Sequence, residues 1–207
     1  MIELINYSKD FKKRTVLNNI NYSFNDGTVY GIYGTNGSGK TMLLRAVAGL
    51  IVPTSGTVKI DNVELHKDIS FPQGLGIVIE NMRLLPNYNA FDNLKILSEI
   101  RKVATDSDIS DSLERVGLNS DLKVKKYSLG MKQRLNIAQA IFEHPKIILL
   151  DEPTNALDTA GVKLVYNIIH DEKEKGATII LTTHHKEDLE SVCDIILKME
   201  EGNLYEE

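Results

Sequence analysis

Apolar and polar positions alternate along residues 2–7 and 20–24, the period of half-buried strands, and Asn25, Asp26 and Gly27 form a turn after the second. A small antiparallel sheet is predicted there. Residues 29–33 are instead a continuous apolar run, the mark of a strand buried on both faces. Helical spacing then runs from Gly39 to Gly49, a natural C-terminal stop, and Pro53, Thr54, Ser55 and Gly56 turn the chain into a strand at 57–60. Residues 75–79 read as another buried strand. From 82 to 143 the period is helical, in runs at 91–100, 109–116 and 131–142. Short β-rich runs follow at 146–150, 177–181 and 194–198, separated by helices predicted over 159–174 and 186–192, and residues 200–207 turn at Gly202 and Asn203 as a closing hairpin. Strands alternating with helices imply right-handed crossovers and a mainly parallel sheet covered on both faces, with ligands at the carboxyl ends of its strands. The predicted class is α/β, as one domain over residues 1–207. Its core comprises 1–81, with an N-terminal antiparallel β subdomain, and 145–207; an α-helical subdomain is inserted at 82–144.

Composition narrows the function. The 207 residues are 42% hydrophobic and 26% charged, the balance of a soluble globular protein, and the net charge of -5 with no tryptophan lacks the footprint of a nucleic-acid binder. No nucleic-acid partner is expected. The single cysteine, Cys193, cannot form an internal disulfide, and no charged-then-apolar leader opens the chain, so a reducing, cytoplasmic setting is expected. Cys193 reads as a small buried hydrophobe. No apolar run approaches the roughly 20 residues that span a bilayer. At a membrane, this chain would sit on the surface.

The chemistry begins at Gly34, Thr35, Asn36, Gly37, Ser38, Gly39, Lys40 and Thr41, placed between a buried strand and a helix. Three glycines remove the side chains that would keep backbone N–H groups from wrapping phosphate oxygens, and the helix start adds its positive dipole end. Lys40 can reach the β- and γ-phosphates, and the Thr41 hydroxyl can ligate Mg2+. A plain flexible turn would not need this full spacing, and the strand-loop-helix context predicts a P-loop NTPase core. A second constellation closes the strand at 146–150 with Asp151 and Glu152. Adjacent strand residues point to opposite faces, so the two acids are expected to differ in role: Asp151 toward Mg2+, Glu152 toward an attacking water. By themselves they read equally well as solvated acids, but Pro153, Thr154, Asn155, Ala156, Leu157 and Asp158 follow directly.

Here the chain resembles the nucleotide-binding subunits of ABC transporters over nearly its whole length. Residues 34–41 match the Walker A loop, 149–152 the Walker B strand with its catalytic glutamate, and Ala156, Leu157, Asp158 the D-loop. Thr182, Thr183 and His184 match the switch-histidine segment, and Tyr127, Ser128, Leu129, Gly130 and Met131 stand where the family signature falls. The resemblance implies an Mg2+-dependent ATPase in which Lys40, Glu152 and His184 are catalytic, with His184 serving the γ-phosphate and the attacking water. It also implies that Ser128 and Gly130 close on the ATP of a second ATPase subunit, identical or different, in a head-to-tail dimer. Ser128 before a helical run has its own rationale, since a capped helix start is an anion site. For the base, Phe11 stands at the stacking aromatic with Val16 beside the ribose, and Tyr7 competes with Phe11. Glu80 falls where the family carries a glutamine, and joins Thr41 and Asp151 as a metal ligand. Glu80, Leu129 and Met131 depart from the family pattern in ways similar to bacterial drug and bacteriocin exporters.

A separate transmembrane permease is the implied partner, docked at Met82, Leu84, Leu85, Tyr88 and Phe91, with the chain peripheral on the cytoplasmic face of the membrane. Lys123, Lys125, Lys126, Lys132 and Arg134 form a basic cluster that is either a solvated face or an aid to triphosphate capture. The rival class is a soluble mechanochemical ATPase acting on a non-membrane partner, and a third reading is a regulatory ATP-binding module with poor hydrolysis.

Overall fold

The computed structural model describes residues 1–12, 14–79, 83–118 and 120–206. Strands β1 (Ile2–Phe11) and β2 (Arg14–Phe24) form an antiparallel hairpin, and β3 (Val29–Tyr33) leads into helix α1 (Lys40–Val47). Strands β4 (Ser55–Ile60) and β5 (Val63–Glu64) complete a four-stranded sheet in the order β2-β1-β4-β5. After β6 (Leu75–Val78) come helices α2 (Ala90–Arg101), α3 (Asp106–Arg115) and α4 (Leu129–Ile141). Then β7 (Ile147–Asp151), α5 (Thr159–Glu174), β8 (Thr178–Thr183), β9 (Ile195–Glu200) and β10 (Asn203–Glu206) finish a six-stranded sheet ordered β10-β9-β3-β8-β7-β6. Its ladders are parallel except the terminal β9-β10 hairpin.

Packing follows from the apolar faces. Helix α1 is held between the two sheets, where Leu43 and Leu44 meet Tyr7, Phe24 and Tyr30 in one buried cluster. Helices α4 and α5 pack on the parallel sheet, α3 packs on α4 and α2 on α3, and their cluster runs without a break from Leu94 and Ile109 to Leu150 and Ile179. Arg115 at the end of α3 bonds the almost fully buried Glu172 of α5 at 2.7 Å, so α3 and α5 are also joined by charge.

The helix predicted over 186–192 is not present. Only a single 3-10 turn forms, at Lys186–Asp188. Leu189 is fully buried and acts as an anchor, and the Asp188 carbonyl accepts from the Tyr166 hydroxyl rather than from a helical N–H. The apolar spacing there therefore records a loop pinned to the core.

Helix α3 opens with a capping box between Thr105 and Asp108, and His144 contacts the same carboxylate at 3.0 Å. The Thr105 hydroxyl, then its N–H, then His144 hold the Asp108 carboxyl down at about 2, against ~3.9 for a free aspartate. Because the folded value is the lower one, its stabilisation is complete above the unfolded value and is lost as pH falls through about 2. Asp108→Ala is expected to lower Tm by about 2–4 °C at pH 7, the cost of about one cap. That difference from the parent should shrink in melts taken between about pH 4 and pH 2.

Candidate active site

Strand β3 ends where β9 passes closely beside it. A Cβ at Gly34 would lie 2.1 Å from the Met199 carbonyl oxygen, so a side chain there would push the two strands apart. Gly39 has φ 116°, and a Cβ on it would meet Met199 Cε at 2.7 Å and the Val16 carbonyl at 2.9 Å. The loop between them is tied down by the Gly202 N–H, which donates to the Ser38 carbonyl at 2.9 Å. Gly39 caps α1 without a side-chain bond, leaving the first-turn N–H groups for an anion. Lys40, only 5% exposed, donates to the Gly34 carbonyl at 2.6 Å and the Thr35 carbonyl at 3.1 Å. Burial lowers the pKa of its ammonium, partly opposed by Glu152 and Asp151.

The carboxylates lie at the end of β7, two strands from β3 across β8. Asp151 accepts from Thr41 Oγ1 at 2.7 Å on one oxygen and from Thr182 Oγ1 at 2.5 Å on the other. A hydroxyl and a carboxylate in contact at the loop are hard oxygen donors, which suits Mg2+, an ion that takes one or two protein ligands and completes its shell from phosphates and water. The divergence of Asp151 and Glu152 does not come from strand alternation. The strand stops at Asp151, and Glu152 turns into the left-handed region at φ 50°. Glu152 Oε2 then lies 2.7 Å from His184 Nε2 and accepts from Asn155 Nδ2. A carboxylate oxygen only accepts, so Nε2 carries the hydrogen in this contact.

These groups open into one cavity of about 750 Å³, lined by Val16, Asn36, Gly37, Gly39, Lys40, Thr41, Asp151, Glu152 and His184. Thr35 and Ser38 line a second hollow that shares Arg14, Val16, Asn36 and Gly37 with the first, and the Ser38 hydroxyl is buried with no hydrogen-bond partner among the described residues. Phe11 does not line the cavity: it pairs across the hairpin with Arg14, which does, and is 47% exposed with Lys9 Nζ 5.0 Å over its ring. Tyr7 is 1% exposed and its hydroxyl bonds the Ile51 carbonyl, so it offers no ring face to a base. Glu80 and Met82 lie outside the described residues.

Ser128 and Gly130 do not line the cavity of their own chain. Ser128 caps α4 by accepting from the Met131 N–H at 3.2 Å, and Leu129 beside it is 72% exposed. Leu84 and Phe91 pack on the core, whereas Leu85 and Tyr88 are exposed. Of the basic cluster, Lys123, Lys125 and Lys126 are exposed and Arg134 pairs with Asp158 at 3.5 Å. Burial pushes the Cys193 thiol up to about 12, in keeping with a packing role.

The sequence reading assigned no role to Arg14, Asn155 or Gln133. Arg14 Nη2 donates to the Gly37 carbonyl at the loop mouth, and Gln133 reaches the site from α4. None of the three stands in a spacing that announces chemistry, although Asn155 directly follows the Glu152-Pro153-Thr154 run.

The family description "ABC transporter" matches residues 17–155. The chain is 63% identical to the uncharacterized ABC transporter ATP-binding protein YybJ of Bacillus subtilis (strain 168), over 99% of this chain and 94% of that one. It is 38% identical to the lantibiotic transport ATP-binding protein SrtF of Streptococcus pyogenes, over 99% of this chain and 89% of the relative. Identity to the bacitracin transport ATP-binding protein BcrA of Enterococcus faecalis is 36%, over 100% of this chain and 68% of the relative. Among solved structures, the dimeric bacterial ABC transporter cassette MJ0796 superposes with a TM-score of 0.88 at 25% identity, covering 99% of this chain and 96% of that one. The same cassette in a post-hydrolysis state bound to ADP and Pi gives 0.85 at 25% identity, with the same coverage.

Proposed function

The chain belongs to the ABC transporter family, and from that premise we propose that it is the ATP-binding and ATP-hydrolysing subunit of a transporter, with the cavity at Lys40, Glu152 and His184 as its active site. The observation that carries the reading is the contact of Glu152 Oε2 with His184 Nε2 at 2.7 Å, in the same cavity as Lys40 and Thr41. In this reading Lys40, Ser38 and the other loop N–H groups, from Gly34 to Gly39, neutralise the triphosphate of the substrate ATP. Glu152 accepts a hydrogen bond from a water aligned with the γ-phosphorus and takes its proton as the new P–O bond forms and the bond to the β–γ bridging oxygen breaks. His184 orients that water and donates to the γ-phosphate. Thr41 and Asp151, with Glu80, would hold Mg2+, which supplies charge for the β- and γ-oxygens when bound. Phe11 and Val16 take the base and ribose.

Ser128 and Gly130 complete the site of a second ATPase subunit, head to tail. Their position outside their own cavity supports this, as does the exposed start of α4. The transport pathway is a separate membrane-spanning permease, met at Leu84, Leu85, Tyr88 and Phe91 and at Met82, with this chain on the cytoplasmic face. Among the described residues no helix is long and apolar enough to cross a membrane. The helical part, 82–144, is the lobe that carries Ser128, and 1–81 with 145–207 form the core. The names of two relatives, one a lantibiotic and one a bacitracin transport ATP-binding protein, support transport of a compound of that kind. The rival soluble mechanochemical ATPase is not favoured, because those relatives are named for transport.

Two assays test the reading. Purified chain should hydrolyse ATP only with a divalent cation, and an affinity-tagged copy should bring down a membrane protein from detergent extracts. Absence of ATP turnover in every nucleotide and metal condition would remove the active-site assignment. Ser128→Arg should leave ATP affinity of the monomer within about twofold while abolishing ATP-driven dimerisation, because the guanidinium fills the interface rather than the subunit's own cavity. Normal dimerisation of that variant in light scattering would remove the head-to-tail sandwich.

A further inference from the structure

We propose that Gln133 is a positioning residue for Glu152, its side-chain amide holding the backbone turn that aims the carboxylate at His184. The proposal rests on the catalytic role proposed above for Glu152. Gln133 Nε2, on α4, donates to the Pro153 carbonyl at 3.0 Å and to the Glu152 carbonyl at 3.4 Å. Both partners are acceptors only, so the amide nitrogen is the end that must face them, and Asn136 Nδ2 lies 3.5 Å from the amide oxygen on the other side.

The turn that it holds needs holding. Glu152 at φ 50° and Ala156 at φ 64° are both left-handed without being glycine, a conformation that crowds Cβ against the following carbonyl oxygen. Such residues persist only where their surroundings over-determine them. Pro153 has no N–H to contribute. The main chain of Glu152 is instead fixed from three directions. Its N–H donates to the Thr182 carbonyl on β8 at 3.1 Å, its carbonyl accepts from the Asn155 N–H at 3.2 Å, and Gln133 bonds it from α4. The contact with α4 is reinforced on either side of Gln133. A Cβ at Gly130 would lie 3.0 Å from the Ala156 carbonyl, and Arg134 pairs with Asp158. Helix α4 and the segment after β7 are therefore packed as one piece. Since Ser128 caps that same helix, a shift at its N-terminus is carried to the Glu152 backbone through Gln133.

The test compares Gln133→Met, which keeps length and helix propensity but has no side-chain N–H, with the parent chain. Expected is a kcat about 10-fold lower, with KM and ATP Kd within about twofold, since misplacement of a reacting group costs rate rather than binding. Unchanged kcat overturns the proposal. So does a parallel loss of Kd and Tm, which would mark a merely structural contact. Gln133→Glu gives an independent readout. Its carboxylate is ionised at neutral pH, so it cannot donate to the two carbonyls and repels them, and kcat should fall at least as far as in Gln133→Met with ATP Kd within about twofold. A kcat equal to the parent's overturns the proposal. Glu152→Gln assayed in parallel separates the two levels. If it hydrolyses ATP normally, the role of Glu152 falls and Gln133 with it. If it is inactive while Gln133→Met is normal, only the role of Gln133 falls.

Discussion

Glu152→Gln is expected to lower kcat by about 10²–10³-fold while ATP affinity stays within about twofold. The amide keeps the shape of the side chain and an oxygen for His184 and Asn155, but it cannot take a proton from water. Removing a negative charge next to Lys40 and Asp151 does not oppose triphosphate binding, because Glu152 is one of the charges that the phosphates would otherwise face. With hydrolysis blocked, the ATP-bound dimer should accumulate. Single-turnover kinetics and light scattering with ATP measure the two effects separately, and normal turnover would refute the assigned role.

Lys40→Met is expected to weaken ATP binding by at least about 100-fold, because the charge-assisted bonds to the β- and γ-phosphates are lost. Its effect on folding should be small, with Tm within a few degrees of the parent. Two terms oppose each other there. The ammonium is buried and its pKa is lowered by that burial, so replacing it with an apolar side chain of similar length relieves desolvation. Against this, the Gly34 and Thr35 carbonyls lose a donor, costing about 1–3 kcal/mol where they remain unsatisfied. Fluorescent-nucleotide titration and a thermal melt on one preparation check both statements. A large fall in Tm would mean that Lys40 is mainly structural.

The legible parts of the chain were those written in local periodicity or in a dense motif. Helix α5 runs over the residues that its spacing predicted, and the phosphate loop joins β3 to α1 as expected. What escaped depends on contacts from distant segments. The alternation predicted over residues 2–7 breaks inside that span, because left-handed Asn6 slips the register and Tyr7 is buried three residues after Leu4 instead of two. The ban on a side chain at Gly34 comes from β9, near the other end of the chain. The helix predicted at 186–192 failed because Leu189 and Tyr166 recruit that segment to the core. Glu152 and Gln133 illustrate the same limit within the site. Motif and spacing identified the carboxylate, but not the left-handed turn that orients it, nor the helix amide that bonds that turn.

Mixing two inactive variants tests most directly whether ATP is cleaved between two copies. A Ser128→Ala subunit, which loses the hydroxyl without adding bulk at the interface, keeps Lys40, and a Lys40→Met subunit keeps Ser128, so a mixed head-to-tail pair contains one site with both residues intact. ATPase activity should appear on mixing, reaching about a quarter of the parent value if subunits pair at random and the sites act independently. No activity above that of the separate variants, with both shown to be folded, would contradict a site built from two subunits.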